Sequence, residues 1–252
     1  MKRLGCMVVL FTLAVSLAAA QAPAPKPAAS DTALPAIDQV LDKCVAAMGG
    51  KEALARITSR QAKGTFELAS MGVTGTVTVL SKAPNRAATI TEIAGFGAFR
   101  TGFDGTIAWS DNPMAGLREL GGDALAAAKR DAVFNGELKL KDIYGKLVVT
   151  GRQKVNEKDA FVVEATPAGG KAETLFFDTE TGLLVRHNAE RSSDQGMALV
   201  ETHYGDYRAV DGVKVPFSIK QVMPQMTIAI TLTEVTHNVD IEDAKFAKPA
   251  AK

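Results

Sequence analysis

The pattern that most limits the fold is an alternation of apolar and polar residues from Ser59 onward, broken by turn-forming residues about every eight to twelve positions. A period of two with regular turns is typical of consecutive antiparallel strands. Pairs such as Asp104-Gly105 and Asp211-Gly212 accept positive φ or start turns. The pattern predicts twelve strands, at 60–69, 73–82, 86–93, 98–103, 106–110, 146–155, 159–166, 172–178, 182–191, 198–208, 213–222 and 226–237.

Twelve strands are too many for a small sandwich, so we expect a mainly β protein with few helices, built on one large, strongly curved antiparallel sheet or partly closed barrel. Two segments have a helical pattern instead. Apolar residues at helical spacing, ending at Gly49-Gly50, predict an N-terminal helix over 37–48, followed by a short helical turn at 51–57. The segment 113–145 interrupts the strands and includes an Ala-rich helical stretch at 123–134. We expect both helices to cap the sheet.

The first twenty residues predict a cleavable signal peptide. Lys2 and Arg3 precede an uncharged apolar run over 6–17, and three alanines follow it. The run is shorter than the ~20 residues that span a bilayer. We expect cleavage before Gln21, a Pro/Ala-rich linker over 21–33, and a single domain over 34–249.

The position of Cys6 bears on anchoring, because a lipoprotein cysteine directly follows the apolar run, whereas Cys6 begins it. We therefore expect export to the periplasm without a lipid anchor. No later segment is apolar enough to span a membrane, so the mature protein is expected not to be membrane-spanning. Cleavage would leave Cys44 as the one remaining cysteine, and its place on the apolar helix stripe predicts a buried, small hydrophobic side chain.

Charge and motifs favour a binding protein over an enzyme. Loss of Lys2 and Arg3 would change the formal net charge from +1 to about −1, which implies no nucleic-acid partner. The sequence has no Gly-x-Ser-x-Gly, Walker or His-Glu-x-x-His motif. Its three histidines, His187, His203 and His237, are dispersed, and its carboxylates fall mostly in turns or on outward strand positions. We therefore expect no metal, no cofactor and no catalytic residues.

Apolar residues between the first strands and the inserted helix are the candidate ligand site. A wide curved sheet with a helix across it leaves a cavity, and apolar cavities bind lipid-like ligands. The alternative is that the same side chains are simply packed core. The candidate residues are Phe66, Leu68, Val77, Val79, Ile90, Phe96, Phe99, Phe103, Trp109, Met114 and Leu117, with 113–134 expected to act as a mobile cover.

Five motifs, in order, resemble the periplasmic lipoprotein-carrier superfamily, the LolA/LolB-like outer-membrane lipoprotein-sorting proteins. They follow an N-terminal helix and, with it, span most of residues 35–249. Each motif consists mostly of turn residues, and their order and spacing carry the resemblance. The motifs are GTVTVLSKAPNR at 75–86, FDGTIAW at 103–109, FDTETGL at 177–183, YGDYRAVDGVKVP at 204–216 and DAKFAKP at 243–249.

The resemblance implies an unclosed β-barrel, lined by apolar side chains and capped by helices, whose cavity takes lipoprotein acyl chains. Arg86 is the nearest counterpart of the family's gating arginine, and an exposed strand-start residue is the alternative. The implied partners are a lipid-modified protein or a lipid, and an inner- or outer-membrane partner protein.

Two other functions remain open. The fold could serve as a protein-interaction module that binds a membrane-protein domain or a peptide, for instance at an exposed sheet edge. It could also be an unrecognised hydrolase, which would require a histidine such as His203 or His237 paired with a carboxylate that points into the cavity.

Overall fold

The structure, a computed structural model, describes residues 33–193 and 196–250. The predicted signal peptide at 1–20 and nearly all of the predicted linker at 21–33 lie outside the described residues. Four α-helices occur in the described part: α1 Ile37–Ala47, α2 Lys51–Arg56, α3 Gly122–Asp131 and α4 Leu140–Ile143. The strands are β1 Ser59–Leu68, β2 Val73–Lys82, β3 Arg86–Ile93, β4 Gly97–Phe103, β5 Ala108–Asn112, β6 Gly116–Leu120, β7 Lys146–Val155, β8 Lys158–Thr166, β9 Glu173–Asp178, β10 Leu184–Ser193, β11 Gly196–Val210, β12 Val213–Met223 and β13 Met226–His237.

All thirteen strands belong to one antiparallel sheet, in the order β6-β5-β4-β3-β2-β1-β13-β12-β11-β10-β9-β8-β7. The first strand pairs with the last, so that two meanders of hairpins meet at the β1–β13 pair. Within the described residues the two end strands, β6 and β7, do not pair with each other, and the barrel stays open. The prediction of a mainly β fold with an unclosed barrel is confirmed.

The sheet has one strand more than predicted, because residues 116–120 form β6 rather than part of the helical cover. The turn before it is closed by Asn112, whose Oδ1 accepts hydrogen bonds from the backbone N–H groups of Met114 and Ala115, at 3.0 and 2.7 Å. This is an Asx turn, which Asn followed by Pro favours. The predicted cover over 113–134 is therefore wrong in its first part, and only the helix α3 remains of it.

The sheet curves strongly, and two glycines in neighbouring strands show where. A Cβ on Gly64 would lie 2.2 Å from the carbonyl oxygen of Thr231, and one on Gly75 would lie 2.2 Å from that of Glu92. Only glycine permits such close backbone approach, and glycine kinks of this kind bend sheets. As a result α3 contacts both β5 and β10, although seven strands separate these two in the sheet.

We call the concave face, against which α1 and α3 pack, the inner face. Helix α1 buries Val40, Leu41 and Cys44 on it, as the apolar stripe predicted. On the opposite, outer face the C-terminal segment 239–246 covers Leu80 and Ala88 with Ile241 and Phe246. No helix in the described ranges combines the length and the apolar character needed to cross a membrane.

Candidate functional site

The strand register shows which side chains share the inner face, because residues directly opposite each other in paired strands point to the same side. Phe66 of β1 is opposite Gly75 of β2 on one side and Ile230 of β13 on the other. Ile230 is in turn opposite Ile219 of β12. On β4, Phe103 has the same orientation and packs against Ala132, just after α3. Phe66 and its neighbours therefore belong to the inner face.

The inner face is filled near the helices and accessible near one end of the strands. Val77, Phe217 and Leu232 are buried in its middle, where Phe217 and Leu232 form a cluster with Ala62 and Val215. Towards the end that carries the β1–β2 and β12–β13 turns, by contrast, the apolar side chains are only half-buried. This accessible apolar patch, which we call the inner patch, consists of Phe66, Leu68, Ile219, Ile228 and Ile230.

The eleven predicted cavity residues fall into three groups. Six lie on the inner face, and of these Val77 and Phe103 are buried while the other four are half-buried: Phe66, Leu68, Val79 and Phe99. Three point to the outer face, namely Ile90, Trp109 and Leu117. Phe96 and Met114 occupy turns and are 51% and 83% exposed.

Trp109 illustrates how a side chain predicted for the cavity can lie on the other face. Its ring lies across Gly102 of β4, where a Cβ would be 2.4 Å from the indole. Its Nε1–H donates a 2.8 Å hydrogen bond to the backbone oxygen of Phe246 in the C-terminal segment. Because strand side chains alternate, only the register distinguishes Trp109 from the inward residues Ala108 and Ser110.

The described residues form one groove next to the inner patch and a separate crevice near α1. A groove of 830 Å³ lies at the turn end of β1–β4, where Phe66 and Ile93 line it together with exposed polar residues of the opposite orientation, such as Thr65, Thr76 and Glu92. A smaller crevice of 110 Å³ lies between α1 and the β8–β9 region. The groove has the volume of a small-molecule site, but most of its lining is polar or small, and its large apolar residues are only Phe66 and Ile93.

A buried ionic network fastens α3 to the far half of the sheet, and Glu173 of β9 is its centre. Glu173 is 4% exposed. One carboxylate oxygen accepts hydrogen bonds from Arg130 of α3 at 2.9 Å and from Arg191 of β10 at 3.0 Å. The other accepts one from Tyr144 at 2.7 Å and lies 2.8 Å from Nε2 of His187. Three separate parts of the chain thus converge on one carboxylate.

The electrostatics of this network keep Glu173 ionised. Burial by itself raises its pKa, but hydrogen bonds from His187 and Tyr144 and the charge of Arg191 outweigh burial and hold the pKa well below its usual value. Burial and the adjacent Glu173 carboxylate raise the pKa of Tyr144 above its usual value, so this phenol stays a donor. Sequence reasoning did not single out Glu173. The signal was present, since its alternation with Leu175 and Phe177 places it on the inner face.

Arg86, the predicted counterpart of a gating arginine, makes contacts on the outer face. Its Nε–H donates to the backbone oxygen of Asp104 at 3.1 Å, and a guanidinium nitrogen lies 3.4 Å from Asp243. These contacts join the β4–β5 turn to the C-terminal segment and involve neither α1 nor α3. On the inner face two arginines approach the helical segment: Arg60 lies 5.8 Å from the ring centre of Phe134, and Arg191 lies 3.2 Å from Asp131 of α3.

The histidines form pairs with carboxylates, but the geometry suits structural roles. His237 Nδ1 lies 3.2 Å from Asp211, yet its Nε2 already accepts a hydrogen bond from Arg60 at 3.0 Å. Burial and the charge of Arg60 lower the pKa of His237. The Asp211 side chain is 63% exposed and therefore does not point into a cavity. In the described part of the chain, no group of three or more His, Cys, Asp or Glu residues could hold a metal ion.

Neither known family models nor curated protein sequences match this chain. Solved structures do. A LolA superfamily protein from Nitrosomonas europaea superimposes with a TM-score of 0.55 at 16% identity, over 84% of this chain and 97% of that one. A DUF1329 family protein from Desulfovibrio piger superimposes with a TM-score of 0.54 at 14% identity, over 84% of this chain and 97% of that one. An outer membrane lipoprotein-sorting protein domain from Vibrio parahaemolyticus superimposes with a TM-score of 0.51 at 14% identity, over 82% of this chain and 97% of that one.

Identities this low establish the fold and leave the function open. The chain has the fold of the LolA superfamily structures, as the sequence motifs predicted.

Proposed function

We propose that this protein is a non-enzymatic carrier or sensor of the periplasm that holds a lipoprotein acyl chain, or another hydrophobic ligand, in its open barrel. The observation that carries the proposal is the inner patch. It places Phe66, Leu68 and Ile230 side by side on a concave face, where they are half-buried, and the α-helices of the described residues pack elsewhere on that face. An apolar concave surface of this kind lowers its free energy by covering itself with hydrocarbon.

The chemistry needed is burial alone. Each methylene of an acyl chain removed from water contributes about 0.8 kcal/mol, so ten methylenes contribute roughly 8 kcal/mol before the cost of association. Such an interaction is strong enough for capture and weak enough for release. No covalent step and no cofactor is required, which agrees with the structural use of His237 described above.

The fold supports the proposal, because one of the similar structures is named for outer membrane lipoprotein sorting. The predicted signal peptide at 1–20 and the position of Cys6 support an exported protein without a lipid anchor. The proposed partners are a lipid or a lipid-modified protein and, for loading or delivery, a protein of the inner or outer membrane.

Uptake of a fluorescent fatty acid tests the proposal, with native mass spectrometry of protein purified from its own host as a second measurement. We expect a bound lipid mass in the native protein. Phe66→Asp should weaken fatty-acid binding about tenfold or more, which corresponds to roughly two methylenes of lost contact. Thr231→Asp is the matched control, because Thr231 follows Ile230 in β13, is exposed, points to the outer face and does not line the groove.

Unfolding midpoints of both variants show whether the fold is kept. If the protein carries no lipid and takes up no fatty acid, the carrier proposal is wrong. The same negative result combined with a protein captured at the β6 or β7 edge would favour the interaction-module alternative.

A further inference from the structure

One rim of the open barrel is unusually apolar. Among the described residues, nine large hydrophobic side chains are exposed. Four of them lie in or next to four neighbouring hairpin turns at the same end of the sheet. We call this group the apolar rim, and its members are Met71, Phe96, Met114 and Met226, which are 65, 51, 83 and 37% exposed.

The register shows that these turns share one end of the sheet. The β1–β2 turn follows the pair Leu68–Val73, and Leu68 also pairs with Ile228 next to the β12–β13 turn. The β3–β4 and β5–β6 turns follow the pairs Ile93–Gly97 and Asn112–Gly116. In the sheet order these are neighbouring hairpins, so their tips form an arc around the mouth of the inner face.

The four rim turns are free of charge. The turns at 69–72, 94–96, 113–115 and 224–225 contain no charged residue, whereas Lys171 and Asp194 fall in the two other hairpin connections at this end of the sheet. At the other end, Asp104, Glu157, Glu180 and Asp211 each occupy a turn. Turn residues are normally polar, because turns face water. Hairpin tips that carry methionine or phenylalanine and no charged residue are instead suited to an apolar environment, in which burying a charge would be costly.

We propose that the apolar rim docks onto the surface of a lipid bilayer, with the tips inserted at the boundary between head groups and acyl chains. The side chains project from separate hairpins. A protein partner would have to supply a separate pocket for each, whereas a fluid bilayer accommodates projecting apolar groups without shape complementarity. The rim turns carry no basic residues, so the binding rests on apolar burial and does not require anionic lipid.

The rim is also continuous with the inner patch. Phe66 and Leu68 lie in the strand that ends at the turn carrying Met71, and Ile228 follows Met226 by two residues in β13. Docking by the rim would therefore bring the mouth of the concave face against the hydrocarbon of the bilayer. An apolar ligand could then pass between membrane and protein with little exposure to water.

The test uses vesicles of phosphatidylcholine, with and without acyl chains brominated near the head group. The variant Phe96→Trp places a reporter on the rim, and Ile107→Trp places one at the opposite end, where Ile107 is 36% exposed. We expect brominated lipid to quench the tryptophan of Phe96→Trp and to leave that of Ile107→Trp at the level of the parent protein. Both variants have the same segment before residue 34, so attachment through that segment would not distinguish them.

Affinity provides a second readout. The double change of Phe96 and Met114 to Ser should lower the fraction bound to vesicles by about tenfold or more, while Ile107→Ser should leave it unchanged. Both substitutions are on exposed turns, so they should leave the fold intact.

Three outcomes would overturn the proposal: no quenching of Phe96→Trp, equal quenching of both reporters, or unchanged binding of the double variant. The parent protein could instead fail to bind vesicles but form a dimer, or capture another protein, in a way that the double variant does not. That result would assign the rim to a second copy or to a protein partner.

Discussion

Replacement of Glu173 by Gln should destabilise the protein and loosen α3, because this carboxylate is the common acceptor for the groups that hold the helix. Glutamine keeps the shape but removes the charge and turns one acceptor oxygen into a donor NH₂. Removing one partner of a buried ion pair costs about 3–5 kcal/mol. The partners Arg130, Arg191 and His187 keep side-chain exposures of 20, 24 and 14%, so we expect the lower end, about 3 kcal/mol.

For a domain of this size, a change of 1 kcal/mol moves the melting temperature by about 2–4 °C, so Glu173→Gln should lower it by about 6–12 °C. Urea unfolding gives the free energy, and hydrogen exchange reports whether the amides of α3 lose protection. Glu190→Gln is the control. Glu190 forms a surface ion pair with Lys171 at 44% side-chain exposure, and such pairs contribute about 0–1 kcal/mol.

The pH dependence has a definite sign. The pKa of Glu173 is depressed in the folded state, so its stabilisation is complete above the unfolded value of about 4.3 and is lost as the pH falls towards the folded pKa. The difference in the free energy of unfolding between wild type and Glu173→Gln should therefore become smaller below about pH 4. A loss under 1 kcal/mol at neutral pH, or unchanged protection of α3, would refute the assignment of Glu173 as the attachment point of the helix.

Two further predictions concern backbone curvature and the thiol. Gly64→Ala should destabilise the protein by ~2 kcal/mol or more, because its Cβ would overlap the backbone of Thr231. The control is Gly151→Ala in the bulge of an edge strand, where an added Cβ would have nothing within 4 Å. This change should alter the free energy of unfolding by no more than about 0.5 kcal/mol. Equal urea midpoints for the two variants would contradict the argument. Burial raises the pKa of the Cys44 thiol to about 12. A thiol reagent at pH 8 should therefore modify Cys44 only in denaturant, which peptide mapping can check. Rapid labelling of Cys44 in the native protein would contradict its burial.

The sequence predicted most of the architecture because hydrophobic period and turn chemistry are local properties. The run 174–178 has apolar residues on both faces, a pattern typical of a strand covered on both sides, and Phe176 and Phe177 are buried on opposite faces. The edge strand β6 was missed since five residues are too few to show a period, and residues 116–120 were assigned to the segment 113–145 that interrupts the strands.

The composition of the site was harder to predict, because it depends on which residues lie opposite each other across distant strands. Ile90 and Trp109 have the right chemistry for a cavity but the wrong orientation, which only the register reveals. The Glu173 network joins residues from α3, β9 and β10, and no local pattern indicates such a meeting. The exposed tips at Phe96 and Met114 were identified as apolar, but their position on one rim follows only from the strand order.

The pairing of the first strand with the last has a consequence for the order of folding. Each meander can assemble from hairpins between neighbouring segments, whereas the pair that joins them brings together Arg60 and His237, 177 positions apart. Contacts of such separation form slowly. A chain that emerges amino end first would expose an unpaired edge of β1 until the final strand arrives, and unpaired edges promote aggregation. Loss of residues after 226 should therefore leave two hairpin arrays that cannot unite, so that survival of the newly made protein depends on its last tenth.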